Sequence, residues 1–262
     1  MLVTTAALLQ AAERGGYAVG AFNIHSLEML PPVLGAAEAL SAPVILQFTE
    51  GSLRFIGPEA LGACVTHMAR ISPVPVAIHL DHGSRFDLVV QAIRHGFTSV
   101  MIDASTLPYE QNVALTRRVV SVARAAGVSV EAEIGHVPGQ EEPGSDAYTG
   151  DGLLTPPALA EQFFRDTEVD ALAVAFGTAH GFYRGEPRLD LERLAEIHRR
   201  VPVPLVMHGG SGVPDAQIRR AVAQGIRKVN VATELKHAWA CCLRTTLAAE
   251  PEELDPRHLL KP

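Results

Sequence analysis

Eight times along this chain an apolar, β-prone run is followed by an amphipathic helical stretch, and that rhythm restricts the possible folds more than any other feature. The strand-like runs fall at roughly 17–24, 43–49, 75–81, 99–105, 129–135, 171–177, 204–208 and 226–232. The helical stretches lie near 27–40, 59–70, 86–95, 109–126, 156–166, 190–200, 214–224 and 234–248. Strand–helix alternation predicts a parallel sheet, because parallel neighbours need a crossover between them. Eight such units in a chain of 262 residues suit a closed (β/α)8 TIM barrel better than an open sheet. Punctuation agrees with the assignment. Strands begin after Pro43, Pro75 and Pro204, and helices stop at Gly96, Gly127 and Gly225. We read residues 1–262 as one barrel domain with a short C-terminal tail from about residue 249. Gly15-Gly16-Tyr17-Ala18-Val19-Gly20 lacks the spacing of a dinucleotide fingerprint and precedes a strand. The longest break in the rhythm, 136–155, is polar and rich in Gly and Pro, as active-site loops often are.

Composition narrows the partners. A hydrophobic content of 47% supplies a large core, and a net charge of −7 argues against a surface for nucleic acid. A small phosphate needs only a local nest of amides and remains compatible with that charge. Cys64, Cys241 and Cys242 are odd in number and form no disulfide framework, so we expect a reducing, cytoplasmic setting. Residues 1–15 make a poor signal peptide, and no apolar run approaches the roughly 20 residues of a membrane span.

Three strand-like runs end in histidine followed by glycine: His82-Gly83, His180-Gly181 and His208-Gly209. The C-terminal ends of parallel strands converge on one face of a barrel, so residues far apart in sequence can share a site there. Three imidazoles with an open position form the ligand set of a catalytic zinc. Satisfied structural histidines are the plainer alternative. Asp81 offers a neighbouring carboxylate able to move protons. His79 lies two residues deeper on the same face and is expected to support the site from below, while His25 and His136 are weaker candidates at strand ends. His67, His95, His198, His237 and His258 fall in helices or in the tail. Gly209-Gly210-Ser211-Gly212 follows the seventh strand and Asn230-Val231-Ala232-Thr233 closes the eighth, where barrels frequently hold phosphate. A tight turn is the simpler reading of that glycine run. Glu131 and Glu133 alternate with apolar residues and should both face into the barrel, where the bland alternative is an ion pair with Lys228 or Arg227.

Together with Ser99-Val100-Met101-Ile102-Asp103-Ala104-Ser105 and Val130-Glu131-Ala132-Glu133-Ile134-Gly135, these segments resemble the class II, zinc-dependent ketose-bisphosphate aldolases, a group that covers fructose- and tagatose-bisphosphate aldolases. The resemblance runs in order from Ala21-Phe22-Asn23 to Asp255-Pro256-Arg257.

The resemblance implies a lyase that cleaves a ketose 1,6-bisphosphate into dihydroxyacetone phosphate and an aldehyde. Fructose 1,6-bisphosphate is favoured, and tagatose 1,6-bisphosphate or another ketose phosphate is the alternative. It implies one zinc on His82, His180 and His208, with Glu133 able to approach the metal in an alternative position and a monovalent cation, Na+ or K+, as a possible helper. Asp81 corresponds to the acid/base on the C4 hydroxyl. Glu141, or its neighbour Glu142, corresponds to the loop glutamate that moves the proton on the dihydroxyacetone carbon. Gly181, Gly209, Gly210, Ser211, Asn230, Val231, Ala232 and Thr233 would hold the triose phosphate. Asn23 and Thr49 match positions near the carbonyl end. Arg184 matches a basic residue that touches phosphate in the fructose branch, and Arg257 an arginine that reaches the distal phosphate of a neighbouring subunit's substrate. A homodimer or homotetramer acting on sugar phosphates, without nucleic-acid or membrane partners, is therefore expected. Members of the family usually continue into a further C-terminal helix where this chain ends at Pro262. Two rivals come from other classes. A metal-dependent hydrolase on this barrel would usually carry a His-x-His pair on its first strand, where this chain has Phe22-Asn23-Ile24-His25. A non-catalytic barrel subunit should have lost ligands that are all present here.

Overall fold

The structure, a computed structural model, describes residues 1–139, 154–183 and 185–260. The chain opens with α1 (Thr5–Gly15), whose first turn is capped by the Thr4 hydroxyl and whose end is turned by Gly16. Then follow β1 (Val19–Asn23), α2 (Leu30–Ala39), β2 (Val44–Phe48), α3 (Glu50–Ile56), α4 (Pro58–Ile71), β3 (Val76–Gly83), α5 (Phe86–Arg94) and β4 (Ser99–Ile102). The second half runs α6 (Tyr109–Ala125), β5 (Ser129–Ile134), α7 (Pro157–Thr167), β6 (Ala171–Val174), α8 (Leu191–Arg200), β7 (Leu205–Met207), α9 (Asp215–Ala223), β8 (Ile226–Val231), α10 (Thr233–Ala249) and α11 (Pro256–Leu259). All neighbouring strands pair in parallel in chain order, and β8 closes on β1, so the expected eight-stranded barrel is present. Among the described residues no helix is long and apolar enough to cross a membrane.

The structure departs from the expected elements in a few places. Helices α1, α3 and α11 lie outside the predicted stretches, and the stretch expected from 27 opens as a short 3-10 turn, Leu27–Met29, before α2. Strand β3 runs two residues past its expected end and takes His82 and Gly83 with it, whereas β4, β6 and β7 stop short of theirs. The trimmed residues belong to loops that leave the barrel and carry site residues.

Two apolar regions hold the barrel. The larger lies between the strands and the surrounding helices, where Leu46, Ile78, Val100, Leu172 and Phe176 meet Leu61, Val65, Val119, Phe163 and Leu194. The smaller fills the lower barrel with Val19, Ala21, Ile45, Ala77, Ala171, Ala173 and Val206, and Leu8, Leu9 and Ala12 of α1 pack against it. Full burial of each of those two leucines is worth about 2 kcal/mol. Small side chains leave the interior narrow, and α1 closes its lower end. Above this layer the inward positions change character, to His79, Met101, Glu131 and Lys228 and then Asn23, Gln47, Asp81, Glu133, His208 and Asn230, all buried. The polar residues gather toward the C-terminal strand ends.

Candidate metal centre and active site

Strand β3 is the origin of the site. Regular alternation would send Asp81 inward and His82 outward. Here the pairing of β3 with β4 slips between Leu80 and Gly83, and His82 takes a left-handed backbone at φ 48°. The bulge turns both successive side chains to the barrel mouth. Asp81 accepts from Asn23 Nδ2 at 2.7 Å and from Asn230 Nδ2 at 3.4 Å, and Gln47 Nε2 donates to Asn23 Oδ1 at 2.6 Å. The Asp81 carboxylate is thus fixed from β1 and β8, directly beside His82 in the chain.

His82, His180 and His208 converge as expected, with one ring nitrogen from each lying within 4.8 Å of the others. Ring centroids are 5.0 Å apart for His82 and His180, 4.6 Å for His82 and His208, and 5.7 Å for His180 and His208. Each outer nitrogen of His82 and His208 has a carboxylate. His82 Nδ1 lies 2.7 Å from Asp103 Oδ2, and His208 Nε2 lies 2.9 Å from Glu131 Oε1. Burial pushes both carboxyls up. It is outweighed at Asp103 by the hydrogen bond and charge of His82, and at Glu131 by the Lys228 ammonium and His208, so both stay below the usual carboxylate range. An ionised carboxylate only accepts, so each is placed to take a ring N–H from its histidine. The opposite ring nitrogens, His82 Nε2 and His208 Nδ1, lie 2.9 Å apart. A proton on one of them bridges that distance, and a divalent cation bound to both nitrogens can take its place. Burial lowers the pKa of His180 well below the ordinary imidazole value and favours the neutral form that binds metals. The donor set fits a divalent metal with nitrogen ligands.

A second grouping, His82, Asp103 and Glu133, offers one nitrogen and two oxygens within the same 4.8 Å limit. Glu133 Oε1 accepts from the Val137 amide at 3.1 Å, while Oε2 is buried with no hydrogen-bond partner among the described residues. Burial, then the charge of Asp103, raises its pKa to about 7. Glu133 thus lies within ligand reach of His82 and Asp103. Asp103, within the run Ser99–Ser105, is a site residue that the sequence motifs leave without a role. Its signal was a carboxylate at the end of the strand adjoining His82.

The expected phosphate segments are also brought together. Gly210 N donates to Asn230 O at 2.9 Å, and the Ser211 hydroxyl accepts from the amides of Ala232 and Glu234 at 3.2 and 3.3 Å. The loop after β7 therefore rests on the first turn of α10, where Thr233 begins a helix and Val231 ends β8. A helix N-terminus beside a glycine loop suits an anion. Tyr183 ties this loop to the one after β6. Its hydroxyl donates to Gly209 O at 2.8 Å and accepts from Ala179 N at 2.9 Å. Gly181 is left-handed at φ 93° just after His180, and the His180 amide donates to Pro138 O at 2.7 Å.

Other expected residues are placed as follows. Thr49 caps α3, accepting from Ser52 N at 3.3 Å. His79 is fully buried below the site, with Nδ1 2.7 Å from Ser99 Oγ, as a supporting residue should be. His25 pairs with Ser52 Oγ at 3.1 Å and His136 with Ser105 Oγ at 3.3 Å. Glu131 does pair with Lys228, at 2.8 Å, whereas Arg227 turns outward to Glu13 at 2.9 Å. Arg257 is exposed on α11 and pairs with Asp255 two residues before it. Glu141, Glu142 and Arg184 lie outside the described residues.

The family model of class II fructose-bisphosphate aldolase matches residues 3–262. Among solved structures, the YdjI aldolase from Escherichia coli K12 is 33% identical with a TM-score of 0.86, over 100% of this chain and 91% of that one. A Coccidioides immitis protein assigned provisionally as a fructose-1,6-bisphosphate aldolase is 29% identical with a TM-score of 0.89, over 98% and 89%. The fructose-bisphosphate aldolase Fba of Campylobacter jejuni is 26% identical with a TM-score of 0.80, over 95% and 82%.

Proposed function

This chain belongs to the class II fructose-bisphosphate aldolase family, a metal-dependent family of lyases, and from that premise we propose that it cleaves a ketose 1,6-bisphosphate, fructose 1,6-bisphosphate foremost, into dihydroxyacetone phosphate and glyceraldehyde 3-phosphate. The observation that carries the reading is Asp81. It is a buried carboxylate held by Asn23 and Asn230 and is adjacent in the chain to a member of the three-histidine cluster.

Zinc, the metal we assign to His82, His180 and His208, supplies Lewis acidity toward the substrate carbonyl. The chain's own groups do the rest. Gly209, Gly210, Ser211 and the first turn of α10 hold the phosphate of the dihydroxyacetone half. Asp81 takes the proton of the C4 hydroxyl as the C3–C4 bond breaks. C4 leaves as the aldehyde, and the bonding electrons stay on C3 beside the carbonyl. Glu141 delivers the proton that C3 then takes up, and in condensation each transfer runs backward. Asn23 keeps the Asp81 carboxylate aimed at C4. Arg184 is assigned a contact with phosphate by the family resemblance. In a homodimer or homotetramer, Arg257 of one copy serves the distal phosphate of its neighbour.

The test is a cleavage assay on zinc-loaded enzyme, with and without chelator, comparing fructose and tagatose 1,6-bisphosphate through release of dihydroxyacetone phosphate. We expect chelator-sensitive cleavage of the fructose substrate. His180→Ala loses zinc and activity together, while Asp81→Ala keeps zinc and loses about 10²- to 10⁴-fold in kcat. Preference for tagatose 1,6-bisphosphate would reassign the substrate, and a metal-free His180→Ala protein that still turns over would refute the mechanism.

A further inference from the structure

Beneath the histidine cluster lies an ion pair the mechanism does not use. Lys228 Nζ sits 2.8 Å from Glu131 Oε2, and both side chains are essentially inaccessible, at 0% and 1% exposure. Burying two charges is expensive, and a well-packed apolar pair of similar volume is often as stable or more so. The layer directly below is built from Ala, Val and Ile. Packing alone therefore gives no reason for a lysine and a glutamate at this level.

The other Glu131 oxygen supplies the reason. Oε1 lies 2.9 Å from His208 Nε2, while Oε2 takes Lys228 and has His79 Nε2 at 3.7 Å. We propose that Glu131, anchored and charge-balanced by Lys228, is a positioning residue that commits His208 Nε2 to a donated hydrogen bond and so makes Nδ1 the ligand atom. His82 shows the mirror arrangement. Asp103 holds its Nδ1, and Nε2 faces the centre. The two rings present opposite nitrogens because their carboxylates stand on opposite sides of the cluster, one at the mouth and one in the barrel core. Lys228 lets a carboxylate sit in that core with the local charge balanced, so His208 receives its orientation without an uncompensated negative charge behind it. Lys228 and Asn230 project inward from the same strand, β8, and Asn230 Nδ2 lies 3.4 Å from the His208 ring nitrogens, so one strand braces the ring at two levels.

This inference rests on the zinc reading, and the experiment separates the two. Zinc affinity is measured by chelator competition on the wild-type protein and on the paired variants Glu131→Leu/Lys228→Met and Glu131→Gln/Lys228→Met. Long-range 1H–15N correlations of the histidine rings report which His208 nitrogen carries the proton, and melting in chelator reports the fold. The leucine variant, which has no acceptor, should melt at or above the wild-type temperature, bind zinc about 10- to 100-fold more weakly and lose the single His208 tautomer. The glutamine variant keeps an acceptor oxygen and should retain both the tautomer and most of the affinity. If the leucine variant does not fold, the glutamine variant decides: a kept tautomer supports the proposal, and a mixture overturns it. Wild-type zinc binding with a leucine variant within about threefold of it and an unchanged His208 pattern would overturn the positioning role alone. Equal losses in both variants would also overturn it, since charge or packing would then set the ligand. A wild-type protein that binds no zinc overturns the metal reading and this inference with it.

Discussion

Gly209 and Gly16 share one backbone angle, φ 66°, in different surroundings. A methyl group on Gly16 meets nothing within 4 Å. On Gly209 it would lie 2.3 Å from the Ala179 carbonyl oxygen, 2.6 Å from its carbon and 3.0 Å from the Ala179 nitrogen. Either Gly→Ala change therefore carries the left-handed strain of a side chain, about 1 to 2 kcal/mol. Only Gly209→Ala must also push backbone away. Ordinary contact begins at 3.4 Å, so the carbonyl has to retreat by about 1 Å from its place at 2.3 Å. Ala179 immediately precedes His180, Gly209 immediately follows His208, and the Tyr183 hydroxyl bridges the two loops. The displacement thus spreads the histidine cluster and the phosphate loop together, and a misplacement of about 1 Å can lose about 10²-fold in rate. The expected results are a Gly16→Ala protein about 1 to 2 kcal/mol less stable with kcat/KM within about twofold of wild type, and a Gly209→Ala protein about 100-fold slower with weakened zinc binding. Denaturant melts, the coupled cleavage assay and zinc content measure all three quantities. A Gly209→Ala enzyme as active as the Gly16→Ala enzyme would refute the close approach of the two loops.

Asn23→Ala removes a hydrogen bond to a carboxylate, worth about 1.5 to 3 kcal/mol, and frees Asp81 to turn, so kcat should fall about 10- to 100-fold while zinc content stays at the wild-type level. Loss of zinc from that variant would contradict the separation of Asp81 from the metal cluster. Burial, then the Lys236 charge, lowers the His25 pKa from 6.5 to about 4. The unfolded chain therefore binds the extra proton, and stability falls as pH drops from about 6.5 toward about 4. In chelated protein, His25→Asn should flatten that slope by up to about 1.4 kcal/mol per pH unit, and equal slopes for the two proteins would disprove it.

The parts that could be read from sequence were those governed by a period. Strand–helix alternation found the barrel, and the alternation within β5 aimed Glu131 and Glu133 inward. The choice between Lys228 and Arg227 as the partner of Glu131 follows from the same parity on β8, since successive residues face opposite sides. What escaped depends on contacts across the fold. Helix α1 carries readable signals, a Thr4 cap and a Gly16 stop, but its purpose, closing the lower barrel with Leu8 and Leu9, exists only once eight strands surround that end. Asp103 gains its role from His82, 21 positions earlier, through the pairing of β3 with β4.

The place where period fails is the place where the chemistry sits. An unbroken β3 would present His79 and Asp81 to the interior and His82 to the helices, leaving the cluster one ligand short. The bulge between Leu80 and Gly83 corrects this by placing His82 at φ 48°, a conformation that costs a non-glycine residue about 1 to 3 kcal/mol. Nothing in Leu80-Asp81-His82-Gly83 forecasts that cost being met, because what meets it is remote: the Asp103 carboxylate on one side of the ring and His208 on the other. The strain has a chemical consequence. Two adjacent residues now face the same point, so the carboxylate proposed as the acid/base stands one peptide bond from a ring in the histidine cluster. A regular strand can offer that point only every second residue, with the intervening side chain turned away.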